Sequence, residues 1–440
     1  MHPFASYILK NYYRQTGWNE DNLYSNLTRS STAILDFNVP RGLHINISKS
    51  PNALFKTTYS MNALPTLNGS VGYIFTSCEV NIPSSQDVRF KDTIERFKVF
   101  DQPRRPEPRD EVWQQGRRVD ARDFLLYGRI YVPTGRLDAL YATRLSPTLQ
   151  LLIAAISDPR SPTPLSQATS RKRGDASGGM SNVMLNLQHD VGRWCTEYSW
   201  SADDGMFGLR VLHNFGSSRR ADPAVGVGAP RPKRVDEEEA MEGGLRGRFS
   251  AGAELYFSAK EKSAGLSTGV RFTTVPDATP PSFQLAPGTF SPSAASTLAP
   301  LSVQSQTPTT LTAVFNPMMG HISGAYAARV SRDLSVCSRF DFNVYSYLSE
   351  WTMGAEWWIG GGAGNGTEPP LTGHENGGRA RFENHNGVFK ARMSTNADVS
   401  LMWEGRLKNV LVSLGVVSDL TNRSKPIRAM GLELAYFSSS

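Results

Sequence analysis

Three groups of residues have types and spacings from which chemistry is often built, and each lacks a part that the chemistry needs. Gly360-Gly361-Gly362-Ala363-Gly364-Asn365-Gly366-Thr367 has the glycines of a phosphate loop. The lysine that should precede Thr367 is missing and no helical pattern follows, so the segment reads as a flexible loop. The seven histidines, His2, His44, His189, His213, His321, His374 and His385, form no H-x-x-x-H pair. His374 lies beside Glu375 in a Gly/Asn-rich stretch that also holds His385, and no metal site is expected. The carboxylates Asp203-Asp204 fall in a turn, where such groups satisfy backbone N–H donors. Neither Ser-x-x-Lys nor Gly-x-Ser-x-Gly occurs, so the expectation is no catalytic residue, no cofactor and no enzyme.

The remaining ionisable residues gain meaning from their periodicity. Glu254, Arg271, Arg339, Asp341, Lys390, Arg392 and Glu433 each sit on the polar side of a stretch that alternates strictly with period two. From Leu245, one face runs Leu245, Gly247, Phe249, Ala251, Ala253, Leu255, Phe257. The other runs Arg246, Arg248, Ser250, Gly252, Glu254, Tyr256, Ser258. Trp194, Thr196, Tyr198 and Trp200 oppose Arg193, Cys195, Glu197 and Ser199 in the same way. So do Val336, Phe340, Phe342 and Val344 against Cys337, Arg339, Asp341 and Asn343. A strand between lipid and a polar lumen demands this alternation. The polar-face charges either select permeating solutes or pair across the interior, and pairing is the expectation because unlike charges stabilise each other where water is scarce.

Segments of this kind number about nineteen, many of them about 9–11 residues, the span of a tilted membrane strand. They start near Leu43, Phe55, Gly69, Asp123, Leu137, Thr148, Asn182, Arg193, Met206, Leu245, Leu266, Leu311, Gly320, Leu334, Trp351, Gly387, Asp398, Asn409 and Ile427. The fold class is therefore all-β, a transmembrane barrel over residues 43–437 preceded by an N-terminal segment, 1–42. Pro133-Thr134-Gly135, Val191-Gly192, Asp203-Asp204-Gly205 and Arg406-Leu407-Lys408 have hairpin chemistry or length. Long connections at 78–121, 158–181, 216–244, 276–308 and 360–386 are rich in Pro, Gly, Ser and charge, and disorder is expected in them, above all at 216–244 and 278–308. Within the first, Phe90, Ile94 and Phe97 share one helical face, which predicts a short amphipathic helix over 85–100 that caps a rim or binds a partner. Phe4, Ile8 and Tyr12 do the same near the start, with Tyr7 beside them, for a helix that either plugs the lumen or lies on the membrane.

Composition agrees with a barrel and excludes a helical membrane bundle. The chain is 39% hydrophobic and 20% charged, with a mean hydropathy of −0.35. Its most apolar run, Leu149 to Ile156, is under half the roughly 20 residues that a spanning helix needs. Cys78, Cys195 and Cys337 are too few and too scattered for a disulfide framework. Met1 to Gln15 lacks the apolar core of a secretory signal, so export is not expected, and the sequons at Asn26, Asn46, Asn68, Asn365 and Asn422 read as polar turns. The net charge of +7 concentrates in Arg104-Arg105, Arg117-Arg118, Arg171-Lys172-Arg173 and Arg219-Arg220. These are suited to anionic lipid or acidic partners, and no aromatic-interleaved nucleic-acid motif accompanies them.

The last strand, Gly431-Leu432-Glu433-Leu434-Ala435-Tyr436-Phe437, has the form of a mitochondrial β-signal: Gly431, then hydrophobics at the third and fifth places after it, Leu434 and Tyr436. The match is partial, because Ala429 stands where that signal has a polar residue. At the other end, His2 to Tyr7, Asn11 to Asn19, Asn22 to Leu27, Ala33 to Phe37 and Pro40-Arg41-Gly42 resemble the opening of the mitochondrial distribution and morphology protein 10 family of fungi. The resemblance implies a nineteen-stranded barrel of the voltage-dependent-anion-channel type in the mitochondrial outer membrane, with its N-terminal segment associated with the lumen. It implies membership of the ER–mitochondria encounter structure, which tethers the organelles for phospholipid exchange, and of the sorting and assembly machinery that inserts outer-membrane barrels. The expected partners are subunits of those complexes and outer-membrane lipids, and the alternative reading is a metabolite pore.

Overall fold

A computed structural model describes residues 3–99, 113–114, 117–118, 123–159, 180–215, 247–274, 307–331, 333–360, 387–421 and 426–439. Most of the four later long connections lies outside the described residues, as do His2, His374, His385 and the basic clusters at 104–105, 171–173 and 219–220.

Nineteen strands close into one sheet. They are β1 (Gly42–Ser50), β2 (Phe55–Leu64), β3 (Asn68–Thr76), β4 (Phe124–Val132), β5 (Leu137–Ser146), β6 (Leu149–Asp158) and β7 (Met180–Asp190). Then come β8 (Trp194–Ser201), β9 (Met206–Phe215), β10 (Gly247–Ser258), β11 (Ser263–Thr274), β12 (Thr309–Asn316) and β13 (His321–Arg329). The last six are β14 (Leu334–Asn343), β15 (Ser349–Ile359), β16 (Gly387–Ser394), β17 (Asp398–Leu407), β18 (Val410–Asp419) and β19 (Ile427–Ser439). Every start lies within three residues of its sequence expectation, because the alternation of large apolar with small or polar residues fixes both the strand and its faces.

Consecutive strands pair antiparallel, and β1 closes the barrel by pairing parallel with β19, from Gly42 opposite Gly431 to Ser50 opposite Ser439. An odd number of up-and-down strands leaves no other way to close. Closure leaves no row of unpaired N–H and C=O groups, which a lipid setting would not tolerate. Turn chemistry appears where expected, with Gly205 at φ 55° and Lys408 at φ 54°.

The wall has two faces. Tyr198, Phe207, Leu255, Phe257, Phe340, Trp357 and Leu414 are exposed on the outside. Thr58, Gln150, Gln188, Glu197, Arg271, Glu356 and Lys390 are buried on the inside. An outer surface of exposed aliphatic and aromatic residues suits hydrocarbon, and no helix among the described residues is long and apolar enough to cross a membrane.

Inside run two segments. The first holds α1 (Pro3–Thr16), 3-10 turns at Glu20–Asn22 and Tyr24–Asn26, and α2 (Arg29–Leu35). The second is the strap 77–99, the start of the β3–β4 connection. The helix expected over 85–100 is a single turn, α3 (Phe90–Thr93). Phe90 and Phe97 are nevertheless buried, because extended chain on both sides lets each ring find a different pocket in the wall.

Leu414 lies mid-strand on the outer face of β18. Leu414→Arg is expected to lower the unfolding free energy in lipid vesicles by about 2–4 kcal/mol, read by denaturant titration, whereas Leu414→Phe stays close to the parent.

Candidate functional site: the filled lumen and the closing seam

Each cluster of apolar residues in the N-terminal segment meets an apolar row on an otherwise polar inner wall. α1 buries Phe4, Ile8, Tyr12 and Tyr13 against Ile74, Leu125, Tyr127 and Ala142 of β3, β4 and β5, and against Phe437 of β19. The Phe4 and Phe437 rings are 5.3 Å apart. Ile74 is in register with Tyr127, and Tyr127 with Leu140, so the contact patch is one continuous row across three strands. Burial pushes the Tyr12 and Tyr13 phenols well above their ordinary range, so both stay neutral.

The 3-10 turns dock on a second row, Cys195, Leu212, Gly252, Gly269 and Val314, each opposite the next on β8 to β12. Leu23, Tyr24 and Leu27 pack on it. A Cβ on Gly252 would lie 2.5 Å from the Tyr24 ring, and one on Gly269 2.7 Å from Leu27. Polar atoms frame the contact: Asn22 donates to Asp190 Oδ1 at 2.7 Å, Asn214 donates to Asn22 Oδ1 at 2.7 Å, and Tyr24 shares a hydrogen bond with Ser267 at 3.3 Å.

α2 uses a third row, Ala327, Cys337 and Gly354 on β13 to β15, which receives Ile34 and Leu35 together with Phe97 from the strap. At the end of the helix Asp36 takes a two-pronged ion pair from Arg339, at 2.7 and 3.1 Å, and Arg339 also holds Asp341 at 3.0 Å. Lys390 donates to the carbonyls of Ala33 and Glu95, and Arg392 donates to that of Leu35 at 3.2 Å.

The strap and the N-terminal segment also hold each other. Lys10 pairs with Glu95 at 2.5 Å, Arg29 with Glu95 at 3.5 Å and Lys98 with Asp21 at 3.1 Å, while Arg29 is fixed within its own segment by Glu20 and Asp21 at 2.9 and 3.0 Å. Phe90 stands edge-on to Trp358 at 6.2 Å, and the Phe97 N–H donates to Glu356 at 3.1 Å. Burial alone would push the Glu95 carboxyl up, but Lys10 and Arg29 together hold it below the usual carboxylate range.

The expected lumen charges are thus inward and partnered at Glu254 with Arg210, at Arg339 with Asp36 and Asp341, and at Lys390 with Glu404, 3.9 Å away. Glu433 accepts from Asn46 at 2.6 Å, which makes Asn46 a strand residue of the inner wall and not the polar turn its sequon suggests. Of the last-strand residues, Gly431 faces in, where a Cβ would come within 2.4 Å of the Pro40 carbonyl oxygen. The chain leaving the lumen crosses the seam behind it. Leu434 and Tyr436 face out, and Tyr436 is exposed. Periodicity missed the docking rows. Their signal is a break in the polar face, with Gly252 opposite Gly269 and Cys337 opposite Gly354, visible only once register is known.

The profile of the family described as "Mitochondrial distribution and morphology protein 10" matches residues 1–376 and 374–439. The chain belongs to this family. It is 64% identical to the mitochondrial distribution and morphology protein 10 of Laccaria bicolor and 65% identical to that of Postia placenta, over 100% of each chain. It is 41% identical to that of Cryptococcus neoformans var. neoformans serotype D, over 99% of both. The filled, nineteen-stranded barrel is therefore the architecture of a mitochondrial distribution and morphology protein.

Asp36→Ala removes a partly exposed pair and is expected to weaken α2 docking by about 1 kcal/mol, seen as roughly five-fold faster amide exchange in 29–36 with the barrel amides unchanged. Because its folded pKa is lowered, the Glu95 pairing contributes fully above the unfolded value of about 4.3 and is lost as pH falls through the lower folded one. Exchange in the strap should therefore rise below about pH 4, and not between pH 5 and 8.

Proposed function

We propose that this barrel resides in the mitochondrial outer membrane as a scaffold. It anchors the ER–mitochondria encounter structure, supporting phospholipid exchange, mitochondrial morphology and inheritance. It also serves the sorting and assembly machinery in late assembly of outer-membrane barrels and of the general translocase. The observation that carries this reading is the filled lumen: two segments of the same chain occupy it, so the outer wall and the rims are the surfaces left for work. Family membership supports the mitochondrial setting. Odd-stranded closure supports the outer membrane, since single-chain bacterial barrels have even strand numbers and the mitochondrial anion channel has nineteen.

The same strand number favours the second reading, a metabolite pore. Planar-bilayer recording separates the two. The full chain is expected to give no large stable conductance and a chain lacking residues 3–40 to give one. A stable conductance from the intact protein without partners would favour the pore. Affinity purification from mitochondria tests the memberships, and recovery of neither tethering nor barrel-assembly subunits would remove the scaffold reading.

The last strand is proposed as the assembly signal, with Gly431, Leu434 and Tyr436 as its readable residues. Gly431→Val also obstructs the seam, so it is expected to abolish the compact, heat-modifiable form in any setting. Leu434→Ala with Tyr436→Ala leaves the seam free, and is expected to slow assembly in mitochondria several-fold while refolding in detergent proceeds normally.

A further inference from the structure

Among the described residues, a space in the lumen lies beside both segments. A cavity of about 110 Å³ lies just inside the rim that carries the β1–β2 and β17–β18 turns, lined by Phe4, Tyr7, Phe90 and Phe437 and by the carboxylates Glu404 and Glu433. The three rings Phe4, Tyr7 and Phe437 are grouped, with Phe437 5.3 Å from Phe4 and 6.2 Å from Tyr7. The carboxylates belong to one register row, in which Glu404 is opposite Ser413 and Ser413 opposite Glu433. Two interstrand steps put their Cα atoms roughly 10 Å apart.

The two carboxylates share this space with one lysine and one histidine, each of which is also engaged elsewhere. Lys390 is 3.9 Å from Glu404 Oε2, a buried atom with no hydrogen-bond partner, while the Glu404 side chain also accepts from Ser413, and Lys390 serves the carbonyls of Ala33 and Glu95 as well. Glu433 accepts from Asn46 and also feels His44 opposite it on β1, whose two ring nitrogens lie against Asn62 Oδ1 and the Arg41 carbonyl. Aromatic faces beside carboxylates attract a cation, and apolar walls favour one that sheds water easily. No group of three or more His, Cys, Asp or Glu side chains suited to a metal ion occurs among the described residues. The space exceeds the roughly 30 Å³ share of a single water, so it admits a small organic group.

We propose that this cavity binds a quaternary ammonium group, with Phe4, Tyr7, Phe90 and Phe437 against its methyls and Glu404 and Glu433 supplying the countercharge. The site is independent of the tethering reading, and its failure leaves that reading untouched. The shared chemistry is a trimethylammonium, carried either by free choline or by a phosphocholine headgroup.

The test is calorimetric titration of the full chain, purified in a maltoside detergent, with choline, tetramethylammonium and potassium. Saturable choline and tetramethylammonium binding is expected, weakened at least ten-fold in Glu404→Gln/Glu433→Gln and insensitive to equimolar potassium. Tyr7→Leu, which keeps the packing volume but removes a π-face, is expected to weaken it less, by about three-fold. A native heat-modifiable form in each variant shows that the barrel is intact. Competition by phosphatidylcholine nanodiscs assigns the site to the lipid headgroup, and its absence assigns it to the free cation. Lack of saturable binding to the parent chain, equal binding by the intact double variant, or preference for potassium would overturn the proposal.

Discussion

The structure depends on one constraint: nineteen strands close only if the first and last run parallel, and the chain that feeds the first strand must come out of the lumen across that seam. Pro40 passes behind Gly431, and Gly42 follows at φ 81°, where a Cβ would meet the Leu64 carbonyl. The strand pairing that seals the wall is therefore continuous in sequence with the segment that fills it. Filling and closing meet at one place, and a side chain at Gly431 would disturb both.

The filling itself follows from charge and apolar burial together. An inner wall bearing Glu254, Arg339, Asp341, Lys390 and Arg392 is costly to keep dry unless those groups are paired; Arg210, Asp341 and Glu404 of the wall supply part of that pairing, and the segments inside add to it. The N-terminal segment delivers Asp36 and the Ala33 and Leu35 carbonyls to that wall, while the strap delivers the Glu95 carbonyl. Apolar clusters set the positions: Ile8 and Tyr12, then Tyr24 and Leu27, then Ile34 and Leu35, each on its own row of small or apolar wall residues. The polar contacts give direction and the rows give register. A lumen so occupied leaves the outer wall and the rims as the accessible surfaces of the barrel.

The sequence by itself determined the wall. Period-two alternation needs only neighbours along one strand, so the count, faces and near-exact starts of the strands were legible, as were the turns at Asp203-Asp204-Gly205 and Arg406-Leu407-Lys408 and the amphipathic character of Phe4, Ile8 and Tyr12. Family likeness added the mitochondrial setting, carried by the opening residues. Only the tertiary structure decided where the amphipathic segments go. Whether Phe4, Ile8 and Tyr12 face lipid or lumen depends on Ile74, Tyr127 and Phe437, on β3, β4 and β19, and their meeting requires barrel closure. The single turn at Phe90–Thr93 replaced a longer expected helix because Trp358 and Ile34 pull Phe90 and Phe97 to different places, a demand that helical periodicity cannot contain. Alternation is local and survives in one dimension; docking rows are made of residues on separate strands and come into existence only when register aligns them.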